Sequence, residues 1–156
     1  MKKKFTKSFI SLMCTAAIVL SCFFTASAAM DDVMFDLTSL GVLDGFEIGD
    51  MNSNVTRAEF SKLVVNALGY SDLANSKKDS GFFTDISSSP YKGEINLLYD
   101  MKIVSGTGLN QFSPDSLITY QQIGKIMVSV LGYSNIIKTN DLTAYMMQAN
   151  ILGVYK

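Results

Sequence analysis

The sequence predicts an all-α fold, or mainly so: a helical bundle of repeated helix-loop-helix units. Three observations predict it. First, the segment opening Val55-Thr56-Arg57-Ala58-Glu59-Phe60 and closing Ala67-Leu68-Gly69-Tyr70-Ser71 returns 63 residues later. There it opens Ile118-Thr119-Tyr120-Gln121-Gln122-Ile123 and closes Val130-Leu131-Gly132-Tyr133-Ser134. Second, Phe60, Leu63, Val64, Ala67 and Leu68 in one copy match Ile123, Ile126, Met127, Val130 and Leu131 in the other, a spacing that lines one stripe of an α-helix. Third, both copies carry the same boundary signals. Thr56 with Glu59 and Thr119 with Gln122 form capping boxes, in which the Thr oxygen accepts the third helical amide and the acid or amide reaches back. Gly69 and Gly132 stand where a left-handed residue ends a helix.

A shorter unit precedes each long helix. Leu37, Leu40, Val42, Leu43 and Gly45 correspond to Leu98, Met101, Ile103, Val104 and Gly106, now 61 residues apart, so the second copy's loop is two residues longer. Ser89-Pro90 reads as a cap and first helical residue, which sets a helix from about Pro90 to Met101; a shorter one is expected around Val33 to Leu40. The stretch from Ser71 to Ser89 is polar and reads as a connection, with Phe82, Phe83 and Ile86 tucked into the core. A third copy starts at Tyr145, where Leu152-Gly153-Val154 matches Leu40-Gly41-Val42. Met146, Met147 and the other methionines read as ordinary core filling. The expected organisation is residues 1–28 as a signal peptide, 29–71 as an N-terminally short first repeat, 72–134 as the second and 135–156 as a partial third.

The leader is read from its three parts: Lys2, Lys3, Lys4 and Lys7, then the apolar run Phe9 to Phe24, then Ala26-Ser27-Ala28. The run falls short of the roughly 20 residues that span a bilayer, and Ser and Thr interrupt it. Val19-Leu20-Ser21-Cys22 loosely resembles a lipobox, but Leu20 is bulky for its place and Phe23-Phe24 follows where a polar tether is usual. Both cysteines, Cys14 and Cys22, lie in the leader, so the mature chain holds itself together by packing alone. Four of the 13 basic residues leave with it, and nine remain against 14 acidic ones. That acidic balance argues against a nucleic-acid partner, and no integral membrane span remains after cleavage.

The ordered elements of the repeat resemble the S-layer homology (SLH) family, modules that hold proteins noncovalently on bacterial walls. Phe83-Thr84-Asp85 stands for its opening Phe-x-Asp, Met101 to Gly106 for its glycine turn, Phe112-Ser113-Pro114 for its loop, and Val55 to Glu59 for its Ile-Thr-Arg-Ala-Glu signature. The resemblance covers roughly residues 33–154 as two repeats and the start of a third. It implies a pseudo-threefold bundle when three repeats are complete. The ligand it implies is a secondary cell-wall polysaccharide, often bearing ketal-linked pyruvate.

By that resemblance Arg57 is the residue that pairs with the anionic ligand. A guanidinium fits a carboxylate bidentately, and the following helix adds its positive end. Thr56 and Glu59 shape the site through the cap, and Tyr120, standing where the second copy has lost the arginine, offers a ring to a sugar. The losses at Tyr120 and Gln122 and the missing third signature keep a second reading open, a degenerate bundle serving structure or surface-protein partners. A third places this chain as the N-terminal module of a larger surface enzyme.

No catalytic chemistry is signalled. The chain has no His, which excludes Ser-His-Asp and Cys-His catalysis and His-ligated metals, and no carboxylate pair stands at a telling spacing. Asp50 to Asn54 imitates a calcium loop, but Val55 replaces its glycine and Ser61 its final acid. No cofactor or metal is expected.

Overall fold

A computed structural model describes residues 32–46, 53–79, 81–137, 139 and 141–154; the leader and the calcium-loop mimic's first residues lie outside them. The chain divides into two compact units between Leu43 and Asp44. Among the described residues there are six α-helices, one 3-10 turn and no strand. They are α1 (residues 32–39), α2 (Arg57–Ala67), α3 (Ser71–Asn75), α4 (Lys92–Asp100), α5 (Tyr120–Val130), the 3-10 turn Ser134–Ile136 and α6 (Leu142–Ile151). This is the all-α architecture that the sequence predicts.

In the first unit, α1 ends in a Schellman cap: the amide of Gly41 donates to the Thr38 carbonyl and that of Val42 to Leu37. The same closure ends α4 and α6 in the second unit, with Lys102 and Gly153 in the left-handed position. Gly41 and Gly153 take φ near 70° freely, whereas Lys102 takes φ 60° against its own Cβ.

In the second unit both expected capping boxes are complete, and α2 and α5 have equal length. Helix α2 packs on α3 and α4, α3 packs on α4, and α5 packs on α6. The main core gathers Val65, Ile86, Ile95, Leu98 and Phe112, with Ile126 entering from α5. Val128, on the same helix, belongs to a second cluster with Tyr145 and Ala149 of α6.

The expected helix stripes need rotating. Val65 and Val128, equivalent residues outside those stripes, are fully buried, while Ala67 and Leu131 are exposed. Each helix is contacted from more than one side, so its buried surface is wider than one stripe and its centre shifts to the small or β-branched residue at closest approach. Ala58 and Ser61 on α2 are buried for the same reason.

Four smaller readings also change. The polar connection contains α3, whose Ala74 is buried against α4 so closely that a Cβ at Gly93 would collide with the Ala74 carbonyl oxygen. Helix α4 is regular from Lys92, two residues later than expected, while Ser89 Oγ does accept the Tyr91 amide at 3.3 Å, as a residue capping that first turn would. Met147 points to solvent. Phe83 and Ile86 do enter the core; Phe82 is half exposed and stacks on Tyr99 with ring centroids 4.8 Å apart.

Two stability outcomes follow from these placements. Lys102→Gly relieves the left-handed strain and raises stability by about 1 kcal/mol in chemical denaturation. Val65→Ala and Ile126→Ala cost about 2–4 kcal/mol each, whereas Leu63→Ala, outside both core clusters, costs clearly less than either.

Candidate functional site

The four sequence-predicted site residues divide between two helix starts. Thr56 caps α2, Arg57 is its first residue and Glu59 its third; Tyr120 is the first residue of α5, equivalent to Arg57. The cap binds tightly, since Glu59 Oε2 accepts from both the Thr56 amide and its hydroxyl at 2.8 Å. Tyr120 is 76% exposed, while Arg57 is only 7% exposed.

Arg57 is buried because the second copy closes over it. Its Nε donates to the Phe112 carbonyl at 2.9 Å, its Nη2 to the Ser105 carbonyl at 3.1 Å, and its guanidinium carbon lies 4.4 Å from the Phe112 ring centre. The free amides at the start of α2 are used as well, Arg57 N donating to Ser116 O and Ala58 N to Pro114 O. Ile118 N donates to Val55 O beside them, so the signature segment of one copy runs antiparallel to that of the next.

Asp85 completes this junction. Its carboxylate accepts the Phe112 amide at 2.9 Å and the Ser113 amide at 2.8 Å, holding the Phe-Ser-Pro loop whose carbonyl meets Arg57. Ser113 has φ 60°, a left-handed conformation that these charge-assisted bonds help to hold. Burial is the largest influence on the Asp85 carboxyl and pushes its pKa up. The Phe112 and Ser113 amides, its own amide and the Arg57 charge together outweigh that and hold it below the usual carboxylate value. Burial lowers the pKa of Arg57, and Asp85 pulls it back up.

Beside Arg57 opens a cleft of about 310 Å³. Its walls include Arg57, Ser105 and Thr107 of the glycine turn, Gln122 and Lys125 of α5, and Leu142 of α6; Tyr120 does not line it. Lys125 Nζ donates to Ser105 Oγ at 3.3 Å and lies 5.5 Å from the Tyr145 ring centre. Two cations therefore converge on Ser105, Arg57 at its carbonyl and Lys125 at its hydroxyl. A more open depression of about 490 Å³ adjoins the cleft and shares Lys125, Ser105 and Val104. Sequence reasoning missed Lys125, Ser105 and Thr107; the available signal was that Lys125 sits at the position equivalent to Lys62. Among the described residues no cluster of His, Cys, Asp or Glu could hold a metal, and no helix is long and apolar enough to cross a membrane.

Residues 82–123, from the Phe-x-Asp element through the first turn of α5, match the S-layer homology domain. The chain carries an S-layer homology domain. A surface layer protein of Brevibacillus choshinensis is 32% identical over 109 residues, which are 68% of this chain and 10% of that protein. A middle cell wall protein of Brevibacillus brevis is 32% identical over 114 residues, 71% of this chain and 11% of that one. A cell surface protein of Thermoanaerobacter kivui is 30% identical over 148 residues, 83% of this chain and 19% of its own length. The chain thus spans between a tenth and a fifth of these relatives. No solved structure matches it significantly. The S-layer homology domain and its company among surface-layer and cell-wall proteins make this a secreted chain of the cell surface and support a role in attachment there.

The Asp85 junction has a pH signature. A carboxylate unfolds to a pKa of about 3.9, and the folded value here is lower, so its stabilisation is complete above that pH and disappears as pH falls through the folded value. Asp85→Asn lowers stability at neutral pH by about 1–2 kcal/mol and flattens the acid limb of the stability profile, read by urea denaturation from pH 7 to 3.

Proposed function

We propose that this S-layer homology chain anchors noncovalently to the bacterial cell wall by binding a secondary, acidic wall polysaccharide, without catalysis of its own. The observation that carries the reading is the cleft between the two copies, where Arg57 and Lys125 face a turn rich in hydroxyl and amide groups. Such a mixture suits a sugar acid: cations for a carboxylate, Ser105, Thr107 and Gln122 for hydroxyls, and Leu142 for an apolar sugar face. Thr56 and Glu59 act through the cap that places Arg57, and Tyr120 offers an exposed ring to a longer saccharide. The polymer is of the kind that bears pyruvate ketals or other carboxylates. In this reading residues 1–28 are a cleaved signal peptide, 29–71 and 72–134 are repeats, and 135–156 opens a third.

One observation favours a second reading. The Arg57 donors to Phe112 and Ser105, and the first amides of α2, are already engaged by main-chain carbonyls. A module in which that junction has become purely structural would serve protein partners at the surface instead.

Cosedimentation of the secreted protein with purified walls separates the two. Binding is expected to intact walls and to disappear when the secondary polymer is extracted; binding that survives extraction supports a protein partner. Arg57→Ala is expected to abolish wall binding together with a fall in melting temperature, since it opens the junction with Phe112 and Ser105.

A further inference from the structure

The two copies place a lysine at the same point of their second helix, Lys62 on α2 and Lys125 on α5. Each meets the first helix of the next copy at an equivalent residue, Glu94 on α4 and Tyr145 on α6. The chemistry of the two meetings differs. Lys62 Nζ lies 3.4 Å from Glu94 Oε1, and the Glu94 side chain is largely buried, so the lysine's charge is cancelled within the fold. Lys125 meets a neutral ring instead and donates to a hydroxyl, and among the described residues no carboxylate pairs with it.

The other cation of the cleft is committed. Arg57 gives Nε and Nη2 to two carbonyls, its face is covered by Phe112, and its charge is matched by Asp85 through the loop both hold. Among the described residues that line the cleft, Lys125 is therefore the cation whose charge no carboxylate matches, and it also borders the neighbouring open depression.

We infer that Lys125 is the residue that contacts the carboxylate of an acidic wall saccharide, and that Arg57 is a positioning residue that holds the Ser105 and Phe112 carbonyls around the cleft. The inference rests on the wall-polysaccharide reading above and assigns its specificity. An ammonium on a flexible stem reaches an anion in either depression, and the hydroxyl of Ser105, its present partner, is a weak competitor for a carboxylate. Lys62 takes no part, because leaving Glu94 would strand a buried carboxylate whose Oε2 already lacks a partner.

The test measures binding of the secreted protein to polysaccharide released from purified walls, with its carboxylates intact or converted to neutral amides. The parent protein is expected to bind the intact polymer and to lose it on amidation. Lys125→Gln is expected to weaken binding at least about tenfold with melting temperature unchanged, the loss of one charged hydrogen bond. Lys125→Arg is expected to restore it. Arg57→Lys is expected to lower the melting temperature, as a purely ligand-binding residue would not. Parent binding that Lys125→Gln leaves intact overturns the inference and spares the wall-polymer reading. A parent protein that binds neither polymer overturns both.

Discussion

A buried guanidinium sets the terms for everything around it. Leaving water costs a cation several kcal/mol unless its donors and charge are matched, and the hydrogen bonds and the carboxylate that offset this for Arg57 come from the next copy in the sequence. Its partners are main-chain carbonyls at 105 and 112, so the turn and the loop must be held at fixed distance from α2. The capping box fixes the helix start from one side, and Asp85 fixes the loop from the other. The signature lies well before the turn and the Phe-Ser-Pro loop in the chain, yet both meet its arginine, and the Phe-x-Asp element reaches it through the loop.

That convergence explains which parts were legible in the sequence. Boundary signals are local: a Thr with Glu or Gln three residues on, or a glycine after an apolar helix end, satisfies backbone groups within one turn, and the two capping boxes and the glycine caps stand where the sequence puts them. The helix faces were less legible, because periodicity reports one apolar stripe and these helices are gripped from two sides. Val65 and Val128 illustrate it, being fully buried yet off the stripe. Helix α3 was hidden by polar composition, since a five-residue helix with one buried alanine leaves almost no pattern.

The site was legible in part. The signature drew attention to Arg57, but the resemblance presented it as a group waiting for a ligand. Nothing local predicts that its hydrogen bonds go 48 and 55 residues down the chain to carbonyls, because carbonyls carry no sequence identity. Lys125 was hard to single out for a related reason: it recurs at the position of Lys62, but a lysine on a helix is ordinarily a solvated charge, and its meaning here comes from what faces it.

What faces it is also what distinguishes two copies that share one fold. Equivalent lysines meet Glu94 in one junction and Tyr145 in the other, and the backbone geometry tolerates both. The ionic version spends the lysine on cohesion and leaves a carboxylate oxygen without a partner, a net gain that is small at best for a largely buried pair. The aromatic version obtains its cohesion from Tyr145 and Val128 in an apolar cluster, where burial does not depend on charge. Once packing supplies the cohesion, the cation is available for something outside the fold. A repeat protein can in this way keep one scaffold throughout and confine its anion-facing charge to the junction where packing has replaced an ion pair.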